Sequence, residues 1–500
     1  MRSCPRFTRI CALALAASLA ACAIKPVGPD YGVPTTAIVN RPGAGAAFAQ
    51  APAAAASGAN VPFADALLPA FWWRLYLDPR LDALIEKALA HNTDLRMALA
   101  NLQKFQAAEG EASGQGKPKL SVEGGPEFGH VSGLTSLQQN DVPPSTWEFG
   151  GGASLSYELD LFGRIQRGIE ASRDNAEAAQ AALDLVRVNV AAGTARAYAQ
   201  ACSSGLRIES AERSTELQQQ ALDISLRLQR AGRVGITDAA RARGQWQGLK
   251  AAIPPLQARR QAALYQLATL TGDLPQDFPR DVAACKLPPH VDGTIPVGDG
   301  AALLRRRPDI RQAERQLAAA NANIGIATAD LYPRISLGLS ADTFSLGNDL
   351  LGKDSIGYSL GPLISWTVPN TGVVRSRIAQ PQAGTDGALA KFDGTVLTAL
   401  RETQTALDNY ARELDRNAAL QASRHDSATV ASQARRLYQS GRTGYLDALD
   451  AERGLATSEA TLAASDAELA DDQVSLFMAL GGGWETTPTS PAGAKVEKAN

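Results

Sequence analysis

Two stretches of the chain alternate apolar and polar residues with a period of two. In "TWEFGGGASLSYELDLF", Trp147, Phe149, Ala153, Leu155, Tyr157 and Leu159 alternate with Glu148, Ser154, Ser156, Glu158 and Asp160. Further on, Ile356, Tyr358, Leu360, Ile364, Trp366 and Val368 alternate with Ser359, Ser365 and Thr367. Such alternation predicts strands with one apolar and one polar face. Companion runs from Lys119 and Arg334 complete a set of four, at about 119–131, 146–160, 334–346 and 355–368. A face of small polar and acidic residues opposite an apolar one suits a barrel with lipid outside and water inside, although a one-sided soluble sheet alternates too. Four strands cannot close in lipid, where an open edge leaves backbone groups unpaired, so a barrel would have to be shared among chains.

Helical texture fills most of the remainder. Leu81 to Ser113 has helical composition, and 164–231 runs without proline, rich in Ala, Leu, Gln and Arg; at 1.5 Å per residue it would extend roughly 100 Å. A return helix is expected at 238–272. The second half repeats the plan with helices at 307–331, 373–440 and 447–480, the longest of them interrupted near its start by Pro381 and "QAGTDG", which predict a kink or a loosened turn. Helices of this length are expected to pack along each other as coiled coils.

The plan is repeated because the text is. "GRVGITDAARAR" (Gly232 to Arg243) and "GRTGYLDALDAE" (Gly441 to Glu452) place Asp238 and Asp447 at an offset of 209, which also relates Tyr157 of "YELDLFGR" to Trp366. Asp94 and Asp309, and Pro118 and Pro333, share an offset of 215. Two landmarks at each offset, in one order, indicate an internal duplication over about 80–275 and 305–482. The copies differ at one telling place: Asp447 and Asp450 lie three residues apart, on one helix face, whereas Arg241 holds the position equivalent to Asp450. An aspartate in a helix's first turn is favourable without any further role.

Charge and cysteine usage place the chain. Arg2, Arg6 and Arg9 precede the apolar run Ile10 to Cys22, too short to span a membrane but suited to a secretory signal at 1–21. Its end, "LAAC" from Leu19 to Cys22, resembles the lipobox of bacterial lipoproteins, with Cys22 as the lipid-carrying N-terminus; a plain signal peptide with an incidental cysteine is the other reading. Losing 1–21 removes three arginines and no acid from a chain of formal charge −2, so no basic footprint for nucleic acid exists. Cys202 and Cys285 could pair in an oxidising compartment or stay buried and free. The Ala-, Pro- and Gly-rich stretch up to about residue 70 reads as a flexible leader, 22–70, and 485–500 as a flexible tail.

Candidate chemistry fails on context. "GYSLG" (Gly357 to Gly361) matches a nucleophile-elbow pattern, but Pro362 and a continuing strand follow Ser359 where a helix must begin. "GEASGQGKP" lacks the glycine and hydroxyl residue of a phosphate loop. His91, His130, His290 and His425 are isolated, without metal-ligand spacing. No enzyme is expected, and no cofactor other than the covalent lipid on Cys22.

Taken together, "YELDLFGR", "RRPDIRQAERQLAAANANIGIA", "LYPRISL" and "LFMALGGGW" resemble the outer-membrane factor lipoproteins of tripartite efflux systems, NodT-type relatives of TolC, from about Phe71 to Trp484. The resemblance implies a mixed α and β membrane protein: a homotrimer sharing one twelve-stranded barrel, a long α-helical coiled-coil periplasmic cylinder and a small mixed equatorial domain, with repeats at 71–290 and 291–484. It implies a passive exit duct in the outer membrane of a Gram-negative bacterium, lipid-anchored and reaching into the periplasm. An inner-membrane pump of RND type and a periplasmic adaptor would deliver drugs or toxic organics; a duct for protein or oligosaccharide secretion, or a scaffold that conducts nothing, are the alternatives.

By the same resemblance the two turns are periplasmic hairpin tips at 232–238 and 441–447. Arg233, Val234, Gly235, Ile236 and Thr237, with Thr443, Gly444, Tyr445 and Leu446, would receive the adaptor. Asp447 and Asp450 would form an acidic constriction, closed by Tyr438 against Asp238 with help from Arg442. Thr443 stands where the family's tip arginine is expected, Arg442 one residue before it.

Overall fold

In the computed structural model the four alternating segments form one antiparallel sheet. The structure describes residues 25–48, 63–130, 144–291, 293–346, 352–353, 355–366 and 371–485; Cys22, the tail from 486, and Thr367 and Val368 of the last expected strand lie outside them. In chain order the elements are β1 (Phe63–Ala64), α1 (Pro79–His91), α2 (Thr93–Gln115), β2 (Lys119–Gly129), β3 (Thr146–Leu159), α3 (Arg164–Arg230), α4 (Ile236–Ala251), α5 (Ile253–Leu270), α6 (Arg280–Ala283), β4 (Ile295–Pro296), α7 (Gly300–Arg306), α8 (Pro308–Ala329), β5 (Arg334–Leu346), β6 (Ile356–Ser365), α9 (Thr371–Gln439) and α10 (Tyr445–Ala479). They divide into two units, one of residues up to 34, 103–178 and 313–391, the other of 35–102, 179–312 and 392 onward.

The first unit carries the sheet, in the order β2-β3-β5-β6. Its register stacks residues of one kind into rows: Leu120, Leu155, Leu339 and Leu360 pair across one face, and Ser121, Ser154, Ser340 and Ser359 across the other, with the hydroxyls of Ser340 and Ser359 2.9 Å apart. Because side chains alternate, a slip of one residue would exchange these faces. All four leucines are exposed on the single chain, Leu120 and Leu360 to 69% and 77%, so among the described residues nothing covers the apolar face. Aromatic rings mark both ends of that face. Phe128 lies 5.3 Å from Trp147 at one end; at the other Phe162 stacks on Tyr332 at 4.4 Å beside Trp366, whose indole donates to Leu331 O. From Ile335 to Ser345 a strand rises roughly 33 Å, or about 25 Å if tilted by about 40°, the height of a lipid-facing band. No helix among the described residues is long and apolar enough to cross a membrane.

Part of the segment expected to be a flexible leader is docked here. Arg167, its side chain only 4% exposed, holds Asp30 at 2.7 Å and donates to the carbonyls of Val27 and Gly28, while Tyr31 donates to Glu314 Oε1 at 3.2 Å. Gly28, at φ +90°, approaches Gly325 so closely that a Cβ would sit 2.5 Å from its Cα. Small residues that read as linker allow this contact. In the second unit Thr35 to Phe48 is docked too: Ala37, Ala44 and Phe48 are buried. The rest of the leader, residues 49–62, lies outside the described residues.

The core of the second unit gathers Trp72, Trp73, Leu81, Ile85, Tyr198, Leu264, Leu267 and Phe477, with Trp72 stacked on Phe477 at 4.7 Å. The closing "LGGGW" is shaped by this core. Gly481 (φ +69°) turns against Arg307, and Gly483 (φ +99°) against Trp72 and Trp73, where a Cβ would come within 2.9 Å of the Trp72 indole nitrogen. β1 pairs in parallel with β4 of the inter-repeat segment. Cys202 and Cys285, 83 residues apart, form a disulfide. Replacing both with serine is expected to lower stability by about 2–5 kcal/mol, read as a lower unfolding midpoint than the oxidised wild type; identical midpoints would show that the bond adds nothing.

Three helix expectations need correction. The run 81–113 is two helices, because Asn92 leaves helical geometry (ψ 136°) and its side chain accepts from the amides of Asp94 and Leu95, an N-cap that restarts the chain. The return 238–272 is likewise two helices, broken at Ala252 before Pro254 and Pro255, which cannot donate within a helix but suit its first turn. Conversely α9 runs without a break through Pro381.

Candidate functional site

Each long helix ends on a glycine in the left-handed region, Gly232 at φ +69° and Gly441 at φ +72°. The bonds that follow are the same in both copies: Arg233 N donates to Leu228 O and Arg442 N to Leu437 O, each at 2.9 Å, with Gly232 N on Gln229 O and Gly441 N on Tyr438 O. This closure leaves a helix end with few orphan carbonyls and requires a residue without a Cβ penalty. Gly235 (ψ 161°) and Gly444 (ψ 160°) then lead into the returning helices. These begin at Ile236 and Tyr445, so Ile236, Thr237, Tyr445 and Leu446 belong to first helical turns and the loops are shorter than the sequence spans 232–238 and 441–447 imply. Arg233, Gly235, Ile236, Thr237, Arg442, Gly444 and Leu446 are exposed, Val234 and Thr443 half-buried. Ile236 at 73% and Leu446 at 53% give the tips apolar points in contact with water.

Behind the turns the two hairpins share a small core of Leu222, Ala242 and Leu449, with Leu226, Trp246 and Tyr438 against it. Burial, then the charges of Asp238 and Glu452, push the Tyr438 hydroxyl above its ordinary range. Asp238 also has Arg241 at 3.5 Å, the residue that replaces an acid in this copy. Asp447 and Asp450 are exposed, one helical turn apart, and among the described residues neither forms an ion pair. Arg442 is exposed and is not placed on either carboxylate.

Sequence reasoning missed the pair behind the second tip. Arg435 Nε lies 3.1 Å from Glu452 Oε1, with the Glu452 side chain only 11% exposed; burial raises the Glu452 carboxyl and Arg435 opposes that rise. Arg424 and Glu459, also at 3.1 Å, form a second rung between α9 and α10. The signal was present: opposite charges lie nearly equidistant from the 441–444 turn, where a hairpin makes them neighbours. Arg453 further joins Gln245 at 2.9 Å, tying α10 to α4. Among the described residues no group of acids, histidines or cysteines is arranged to hold a metal.

Comparison with known proteins matches this architecture. The family model described as "Outer membrane efflux protein" covers residues 84–273 and 301–482, the two copies of the repeat. The chain is 26% identical over 505 residues to Nodulation protein T of Rhizobium leguminosarum bv. viciae, covering 98% of this chain and 99% of that one. It is 30% identical to the solvent efflux pump outer membrane protein SrpC of Pseudomonas putida, over 82% and 87% of the two chains. The solved outer-membrane channel OprN superposes with a TM-score of 0.83 at 33% identity, over 92% of this chain and 99% of that one.

Proposed function

Because the chain belongs to the outer membrane efflux protein family, we propose that it is the passive exit duct of a tripartite pump, receiving small molecules from an RND-type inner-membrane pump through a periplasmic adaptor. The observation that carries this reading is the sheet: one exposed apolar face with aromatics at both ends, one face of serines, glycines and acids, and two edge strands, β2 and β6, that are unpaired among the described residues. Edges of that kind in lipid must find partners, and three copies give a closed barrel of twelve strands. Drugs and toxic organics are the proposed cargo, supported by the likeness to a solvent efflux protein and by a polar sheet face that offers no specific pocket chemistry. The exposed tip residues around Ile236 and Leu446 are the proposed adaptor contacts. Asp447 and Asp450 are the proposed constriction, held closed through Tyr438 and Asp238, and a lipid on Cys22 is the proposed anchor.

Native mass spectrometry of the detergent-solubilised protein tests the assembly. A trimer whose chains begin at Cys22 and carry acyl groups is expected. A stable monomer would remove the shared barrel, and an unmodified Cys22 would remove the anchor.

A further inference from the structure

A trough between α3 and α5 in the second unit collects groups that the duct reading does not use. Gln200, Ser203 and Arg207 share one face of α3, and Arg259, Ala263 and Gln266 share one face of α5; all six line one cavity of about 380 Å³. Positions i, i+3 or i+4, and i+7 fall on a common helix face. Arg207 and Arg259 line the same cavity, and burial, then the charge of Arg259, lowers the Arg207 pKa.

Two features are costly unless something fills this space. The Ser203 hydroxyl is buried, the residue only 4% exposed, and among the described residues has no hydrogen-bond partner, so its desolvation is not compensated. Two guanidinium groups line one cavity, and among the described residues neither has a carboxylate within ion-pair distance. Asp471, which also lines the cavity, does not serve, because its carboxylate is on Arg196 at 2.8 Å. The wall is also fixed in place: the neighbouring residue Cys202 is bonded to Cys285, and Gly205 lies so close to the Cys285 carbonyl that a Cβ would overlap it.

We infer that this trough is a binding site for a small oxyanion of the phosphate or carboxylate class, clamped by Arg207 and Arg259 and given a hydrogen bond by Ser203. A planar guanidinium presents paired donors matched to two oxygens of such an anion. The anion would satisfy the hydroxyl and relieve the repulsion between the arginines together.

The test is calorimetric titration of the purified full-length protein in its native assembly with inorganic phosphate, against chloride at equal ionic strength. Saturable binding of one phosphate per chain is expected, weakened at least about thirty-fold in Arg207→Gln with Arg259→Gln, which lacks both charge-assisted contacts. Ser203→Ala, which removes a single hydroxyl, is expected to weaken binding about five-fold, and it carries the test by itself if the double variant does not assemble. Absence of saturable phosphate binding in the wild type overturns the site. So does a double variant, or where that cannot be made a Ser203→Ala variant, that binds as tightly as the wild type.

Discussion

Replacing Arg307 with alanine is expected to destabilise the folded chain by about 3–5 kcal/mol, the cost of breaking a buried charge cluster by removing one member. Arg307 is 7% exposed. It meets Asp309 through two nitrogens at 3.0 and 2.7 Å, Glu402 at 2.9 Å and the Ala479 carbonyl at 2.9 Å. Burial opposes its charge and the two carboxylates restore it, with the net pKa raised. Removal leaves two acids without their shared cation, and leaves the Ala479 carbonyl with the longer bond from Thr403 Oγ1 at 3.3 Å. Glu402 is 42% exposed and partly screened, which favours the lower half of the range. Arg401→Ala next door, 70% exposed, should change stability by no more than about 0.5 kcal/mol. Denaturant unfolding of the solubilised protein reads both, and an Arg307→Ala midpoint matching that of Arg401→Ala would show that the cluster is not a fastening point.

The second large effect is expected at the tips. Asp447 and Asp450 share a helix face and are exposed in the single chain, so three converging chains would surround one axis with six carboxylates. Like charges held close in a narrow opening concentrate cations. Asp447→Ala combined with Asp450→Ala should therefore weaken block by divalent cations by about ten-fold or more, since each 1.4 kcal/mol of lost attraction is a factor of ten, and should reduce cation preference. Tyr438→Phe acts elsewhere, on the hydroxyl buried near Asp238, and should raise conductance while keeping that preference. If block and selectivity survive the double alanine substitution, the two aspartates serve only as residues at a helix start.

Which parts were legible in the sequence follows from the range of the forces involved. Period-two alternation and helical runs are local, so the four strands and both long helices could be read directly, and the repeated "GR-x-G" text foretold two turns with identical hydrogen bonds. Asn92 was misread because one polar residue in a helical run carries no periodicity; only its side chain's bonds to Asp94 and Leu95 reveal the break. The leader misled through composition: alanine, glycine and proline suggest a tether, yet small residues also permit the contact of Gly28 with Gly325. Pairing of Cys202 with Cys285, and of Arg435 with Glu452, depends on chain segments brought together by folding. Of the site, the placement of Asp447 and Asp450 one turn apart near a helix start was legible, because that spacing is local.

The central claim is that this chain forms a conducting path through the outer membrane, and single-channel recording of the purified wild-type protein in planar lipid bilayers tests it most directly. Unitary openings that favour cations over anions are predicted. Protein that inserts into the bilayer but leaves its conductance at the level of bare lipid would contradict the duct and leave a membrane-attached scaffold in its place.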